Sequence, residues 1–197
     1  MSKVLSDDAL DQLFRNARSY NGYLDKPVST DQLNALWDLM KFPPTSANMM
    51  PARLIWCVSD AAKAKLAAFA GDTNGPKIMA APVSVILGMD VDFHEQLPWL
   101  FPHAPDAQNW FADADAREVM ALRNSSLQGA YLIMAARAIG LDTGPMSGFD
   151  NAGVDAAFFG ETPRVKSNFI STLGYGDPAT IFGRSPRPDF DVFNTIA

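Results

Sequence analysis

The apolar positions of the chain fall into stretches of helical period, stretches of strand character, and one stretch with neither. Leu10, Leu13, Phe14 and Ala17 follow the i, i+3, i+4, i+7 rule behind Ser6 and predict a capped helix over residues 7–19. Ser29-Thr-Asp-Gln32 is a capping box, in which the serine and the glutamine satisfy backbone donors reciprocally. Behind it Leu33, Leu36, Trp37 and Met40 form one stripe, and Phe42-Pro43-Pro44 ends the helix because proline cannot continue it. Arg53-Leu-Ile-Trp-Cys-Val58 reads as a strand, and Ser59 caps an alanine-rich helix over 60–70. Pro82-Val-Ser-Val-Ile-Leu-Gly88 reads as a buried strand, and residues 167–174 as a further one.

Residues 90–115 break the pattern. Phe93, Trp99, Phe101, Trp110 and Phe111 stand among Pro98, Pro102, His103 and Pro105 without a period, which predicts a lid-like excursion from the core. A long helix over 116–139 follows, closed by Gly140. Val119, Leu122, Ser126, Gly129, Ala130, Ile133 and Arg137 share one of its faces, and the small residues there would let another helix approach closely. Helices and strands do not alternate one to one, so the pattern favours an α+β architecture over a doubly wound sheet. No repeat or linker divides residues 1–197, which read as a single domain.

Composition narrows the function classes. With 197 residues, 48% of them hydrophobic, the chain can build a core without disulfide or metal staples. A net charge of −6 argues against a protein that grips nucleic acid, while leaving room for a local basic pocket. The single cysteine, Cys57, has no partner, and no Cys/His cluster has zinc spacing. The N-terminal residues turn acidic at once, and no apolar run is long enough to cross a bilayer, so a cytoplasmic protein without membrane association is expected.

Motif by motif, most chemistry is rejected. Gly174-Tyr-Gly176-Asp-Pro-Ala179 imitates a dinucleotide fingerprint, but Pro178 sits inside it and no helix opens behind it, so a turn after a strand is the better account. Walker, GxSxG and HExxH motifs are absent. Three groupings survive. Arg18, Ser19 and Asn21 offer a guanidinium, a hydroxyl and an amide suited to a phosphate, although Arg18 reads equally well as a cation near a helix C-terminus. Pro44-Thr45-Ser46-Ala47-Asn48 supplies hydroxyls and an amide on a proline-bounded loop, or simply a turn. Asn74 and Lys77, with Arg184 and Arg187, are dispersed polar and cationic groups that also read as solvated surface.

Taken in order, these pieces resemble the FMN-dependent nitroreductase family across nearly the whole chain. The resemblance rests on Asp25-Lys-Pro-Val28, Met40-Lys-Phe-Pro-Pro-Thr-Ser-Ala-Asn48, Pro51-Ala-Arg53, Leu97-Pro-Trp-Leu-Phe-Pro-His103, Arg123-Asn-Ser-Ser126, Gly140-Leu-Asp-Thr-Gly-Pro-Met-Ser-Gly-Phe-Asp150, Lys166-Ser-Asn168 and Gly174-Tyr-Gly-Asp177. Within the family it is most similar to members that reduce malonic semialdehyde in pyrimidine utilisation. The resemblance implies a central, mostly antiparallel sheet flanked by helices in an intertwined homodimer, with FMN sites at the interface. It further implies that Arg18, Ser19, Asn21, Arg184 and Arg187 surround the FMN phosphate, with Asn21 standing where relatives often carry a basic residue. Pro44, Thr45, Ser46 and Asn48 would come from the partner subunit, Asn74 and Lys77 would reach the isoalloxazine edge, and Pro145, Met146, Ser147 and Gly148 would lie beside flavin N5.

The activity implied is an NAD(P)H-dependent reduction in which hydride passes through flavin N5 to a small carbonyl, best fitted by malonic semialdehyde going to 3-hydroxypropanoate. The chemistry belongs to the cofactor, so no catalytic side chain is assigned. A nitroaromatic or quinone reductase is the alternative, with Trp110 and Phe111 as candidates to line the substrate pocket. A flavin-binding or flavin-fragmenting protein without reductase activity is another.

Overall fold

The computed structural model describes residues 3–197. Its helices are α1 (Asp7–Leu10), α2 (Thr30–Met40), α3 (Asp60–Ala67), α4 (Gly71–Ala80), α5 (Leu97–Leu100), α6 (Ala114–Ala138), α7 (Asn151–Phe158) and α8 (Phe190–Phe193). Its strands are β1 (Ala52–Cys57), β2 (Val83–Asp90), β3 (Asp142–Met146) and β4 (Val165–Gly174). They form one antiparallel sheet in the order β1-β2-β4-β3, so β1 and β3 are the edges. The architecture is α+β with a four-stranded sheet flanked by helices, as the element pattern and the resemblance lead one to expect.

The sheet is buried on both faces, which is why β2 shows no exposed residue. On one side Val83 and Val85 pack with Leu33, Leu36 and Met40 of α2 and Leu132 and Ala136 of α6. On the other, Ile86 and Ile170 pack with Leu66 of α3, Ile78 of α4 and Val154 of α7. The end of β2 carries a fully buried charge, Asp90, bonded by Arg53 at 2.7 Å and flanked by Arg164 at 3.4 Å. Losing both cations would leave that carboxylate uncompensated in the core, at a cost of about 3–5 kcal/mol.

The local signals mostly form. Ser29 and Gln32 make both halves of the capping box, and Ser6 and Ser59 cap their helices. Gly140 closes α6 with φ of +78°. Four expectations change. The first helix does not reach residue 19: after α1 the chain widens into a π-turn over Asp11–Arg15 and then extends, because Ser19 is drawn into a β-bridge with Thr143. The helix over 60–70 stops at Ala67, where Ala68 caps it and Gly71, with φ of +63°, leads into α4. Helix α4 itself is not legible in Gly71-Asp-Thr-Asn-Gly-Pro76, since glycine and proline oppose helix. It forms by packing, with Gly75 set so closely on α3 that a Cβ would lie 3.3 Å from the Ala67 carbonyl oxygen. β3 also escapes the pattern, because Gly144 and Pro145 read as a breaker, yet proline is tolerated on an edge strand.

The excursion over 90–115 is three short helical turns with a small core of its own. Phe93, Leu97 and Ala107 bury with Met49, Met89 and Ala121, so this segment is less a lid than a second packed layer. The predicted face of α6 also splits. Its buried face is Ala121, Asn124, Ser125, Gln128, Gly129, Leu132, Ala135 and Ala136, whereas Val119, Leu122, Ser126 and Ala130 are exposed.

Cys57 is fully buried, and burial pushes its thiol up to about 11. Native protein should therefore be inert to an aromatic disulfide reagent at pH 8, and one thiol per chain should react after unfolding in urea. Rapid reaction of the native protein would contradict the packing of β1.

Candidate functional site

The site is built on the open edge of β3. Ser19 bridges to Thr143 in parallel sense, and the Tyr20 N–H donates to the Thr143 carbonyl at 3.2 Å. Gly144 makes this approach feasible, since a Cβ there would come within 2.7 Å of the Tyr20 carbonyl oxygen. Beyond it Tyr23 bridges to Gly176, and its hydroxyl lies 2.6 Å from Thr172 Oγ1. Asn21 Nδ2 donates to the Thr180 carbonyl at 3.1 Å, and the Gly22 N–H to Thr180 Oγ1 at 3.0 Å. The segment from Arg18 to Tyr23 is thus stitched between β3 and the stretch after β4.

That stitching draws four guanidinium groups together. Arg18, Arg137, Arg184 and Arg187, with Ser19, Asn21 and Ser185, line a cleft of about 260 Å³. Arg18 donates to the Phe182 carbonyl, Arg184 to the Ala17 carbonyl at 3.1 Å, Arg137 to the Leu13 carbonyl at 2.9 Å, and Arg187 to its own neighbours Ser185 and Pro186. Every one of these acceptors is neutral. Among the described residues no ion pair involves any of the four, although the chain as a whole is acidic. Four unpaired cations converging on one cleft make an anion site, and guanidinium forks suit phosphate oxygens.

A second cleft, of about 330 Å³, runs beside it. It is lined by Ser126, Ala130 and Ile133 of α6, by Pro145, Met146 and Ser147, and by Phe169. β3 links the two: Thr143 bridges to Ser19 of the cationic cleft, and the last residue of the strand, Met146, lines the apolar one, roughly 10 Å further along. Arg137 joins them too, one turn past Ile133 on the same face of α6. At the far end Asn74 Nδ2 donates to the Gly148 carbonyl at 2.9 Å, and Lys77 follows one turn later on α4, half-buried and without an ion pair among the described residues.

Of the expected site residues, the structure gathers Arg18, Ser19, Asn21, Arg184 and Arg187 in one cleft, sets Pro145, Met146 and Ser147 in the other, and ties Gly148 to Asn74, with Lys77 one turn on along α4. Pro44, Thr45, Ser46 and Asn48 lie elsewhere in the chain. Asn124 Oδ1 accepts from the Ser46 N–H, Tyr131 donates to the Pro44 carbonyl, and Asn48 donates to the Leu100 carbonyl. Ala47, Asn48 and Met50 hold positive φ values of 47°, 49° and 39°, a strained backbone that packing must maintain. Trp110 is 61% exposed and Phe111 packs edge-on against Phe93 at 5.1 Å; neither lines the two clefts. The residue that the expected set lacks is Arg137. Its signal was present, an arginine ending the small-residue stripe of the long helix, but only the fold shows that it meets Arg184.

Comparison with known proteins gives a consistent answer. The sequence profile of the "Nitroreductase family" matches residues 14–175. A protein of Burkholderia lata named "Putative NADH dehydrogenase/NAD(P)H nitroreductase" is 62% identical over 189 residues, covering 95% of this chain and 96% of its own. A relative of the same name from Stenotrophomonas maltophilia is 58% identical over the full length of both chains. Among solved structures, "a putative nitroreductase in complex with FMN" from Exiguobacterium sibiricum superposes with a TM-score of 0.87 at 21% identity, covering both chains entirely. The enone reductase CLA-ER superposes with a TM-score of 0.83 at 18% identity, over 98% of this chain and 99% of that one.

The Gly144 contact carries a prediction. Gly144→Ala should push the Tyr20 carbonyl off β3, lower stability by about 1–3 kcal/mol in urea denaturation, and weaken protection by phosphate against thermal unfolding. Unchanged stability and unchanged phosphate protection would show that the edge pairing is not close enough to organise the cleft.

Proposed function

The chain belongs to the nitroreductase family, and from that premise we propose that it is an FMN-dependent NAD(P)H oxidoreductase. The single observation that carries this reading is the placement of two clefts toward the two ends of β3: a site of four cations without ion pairs among the described residues beside the Ser19–Thr143 bridge, and an apolar slot at Pro145 and Met146. A phosphate-bearing cofactor with a flat apolar ring needs that arrangement. The residues present fit it, because Arg137 has a buried Nε without an acceptor among the described residues and Gly144 lets the Arg18–Tyr23 segment lie against β3.

When bound, FMN supplies hydride transfer between the nicotinamide and the acceptor. The chain's own residues bind, orient and exclude water. Arg18, Ser19, Arg184 and Arg187 hold the phosphate, while the Asn21 amide, already committed to Thr180, acts more on the loop than on the anion. Asn74 fixes the Ser147–Gly148 backbone through the Gly148 carbonyl, and Lys77 supplies a preorganised positive charge at the edge of the ring. Ala130, Ile133, Pro145 and Met146 keep the slot dry. A second copy of the chain completes the site: the exposed Val119, Leu122 and Ala130 of α6 need a cover, and the strained Pro44–Asn48 loop is the segment the partner contributes. The assembly acts in the cytoplasm, as a single domain over residues 1–197.

For the acceptor, malonic semialdehyde remains the best fit, reduced to 3-hydroxypropanoate. Arg123 supports it: one turn before Ser126 on the same face of α6, it is exposed, makes no ion pair among the described residues, and is the cation we assign to a small acid's carboxylate. The apolar lining itself, and the names of the relatives, favour a nitroaromatic or quinone acceptor as the second reading.

Purified protein should release FMN on denaturation, and its visible absorbance should bleach anaerobically with NADPH or NADH and recover on adding malonic semialdehyde. Arg123→Ala should raise KM for the semialdehyde by roughly tenfold or more while leaving turnover of menadione within about twofold. A flavin that bleaches but is reoxidised only by quinones or nitroaromatics would select the second reading. A protein that takes up no FMN would overturn the oxidoreductase assignment.

A further inference from the structure

We propose that Arg137 is the fourth guanidinium on the phosphate group in the cationic cleft, and that it couples occupancy of the cleft to docking of the N-terminal helix. The inference rests on reading that cleft as the site of a phosphate monoester. Arg137 is unusual among the four cations in being carried by the long helix α6 rather than reaching in from a loop.

Its environment leaves part of the side chain unspent. Nη1 donates to the Leu13 carbonyl at 2.9 Å and to Met134 Sδ at 3.7 Å, while among the described residues Nη2 has no acceptor and Nε is buried without one. An unsatisfied buried N–H destabilises the unliganded protein, a penalty that a bound anion would relieve. Burial lowers the affinity of the guanidinium for its proton and Arg184 lowers it further, while Asp142 opposes them. Asp142 nevertheless forms no ion pair with Arg137; one of its oxygens accepts from the Gly176 N–H at 3.0 Å. The ordinary reason for an arginine in the last turn of a helix, bonding the final carbonyls, does not apply. Those of Ala135, Ala136 and Arg137 are already taken by the backbone N–H groups of Ile139, Gly140 and Leu141.

The coupling follows from how little else holds the N-terminus. No residue of α1 or of the π-turn Asp11–Arg15 is buried, so the segment gains little from packing. Two of its ties to α6 run through one residue: Gln12 Nε2 donates to the Arg137 carbonyl at 2.6 Å, and Arg137 Nη1 donates to Leu13. Fixing the guanidinium on a phosphate fixes the donor that the helix docks upon. Short π-turns recur at functional sites, consistent with a segment that responds to ligand.

The test compares FMN with riboflavin, which lacks the phosphate, by fluorescence quenching on the apoprotein, with hydrogen exchange as the structural readout. Arg137→Ala should weaken FMN at least about tenfold and leave riboflavin within about twofold. FMN should slow amide exchange over residues 10–16 in the wild type and not in the variant. Equal weakening of both flavins, or FMN binding within about twofold of wild type, would overturn the inference. If the alanine variant does not fold, Arg137→Lys decides it by the same FMN-selective loss. If the wild type takes up neither flavin, the FMN reading fails separately. Inorganic phosphate then serves as the ligand: it should raise the thermal midpoint and slow exchange over residues 10–16 in the wild type but not in the variant, and absence of that difference overturns the inference too.

Discussion

An edge strand leaves a row of backbone donors and acceptors without partners, and the free edge of β3 is the constraint on which the site depends. The chain resolves it by pulling its own N-terminal segment into register with Thr143, and the cost is the first helix, whose α-helical part ends at Leu10 and whose π-turn ends at Arg15, short of the predicted residue 19. That exchange brings Arg18 out of a helix and beside Arg184. Gly144 is the permissive element, because a side chain there would meet the Tyr20 backbone, which cannot swing aside as a side-chain tip would.

Helix α6 is the other half of the frame, and its two faces do different work. The inward face carries amides as well as alanines. Asn124 accepts from the Ser46 N–H and Gln128 from the Ala52 N–H, each at 2.8 Å, so these buried side chains pin the strained loop and the start of β1. The outward face is small and apolar between two arginines, Arg123 and Arg137, fourteen residues or roughly 21 Å apart. The apolar slot lies between them. A net charge of −6 does not prevent a strongly basic cleft, because the acids pair elsewhere, with Asp90, Asp92, Glu95 and Glu118 all engaged on the opposite end of the sheet or in the 90–115 layer.

Much of this was legible in the sequence where one local rule decides. The capping box at Ser29, the serine cap of α3, the β2 run and the glycine stop at 140 each follow from the chemistry of a few adjacent residues. The illegible elements are those where tertiary packing overrides propensity. Helix α4 carries two glycines and a proline and exists because Gly75 sits against α3; β3 carries Gly144 and Pro145 and exists because it borders β4. The same holds for the candidate site. Arg18, Ser19, Arg184 and Arg187 were found through resemblance, whereas Arg137 on the long helix looked like part of an interface stripe until the fold set it beside Arg184. Phe111 looked like a pocket residue and instead packs on Phe93, since an aromatic run without period does not reveal which rings turn inward.

The central claim is that one strand edge organises a phosphate site and an apolar slot into a single cofactor-length groove. A crystal structure of the protein grown with FMN tests it most directly. The claim predicts the phosphate among Arg18, Arg137 and Arg184, the ring against the Pro145–Gly148 segment, and the Pro44–Asn48 loop approaching it from a second copy of the chain. A phosphate bound away from those arginines, or a ring seated outside the slot of Ala130, Ile133 and Met146, would contradict it.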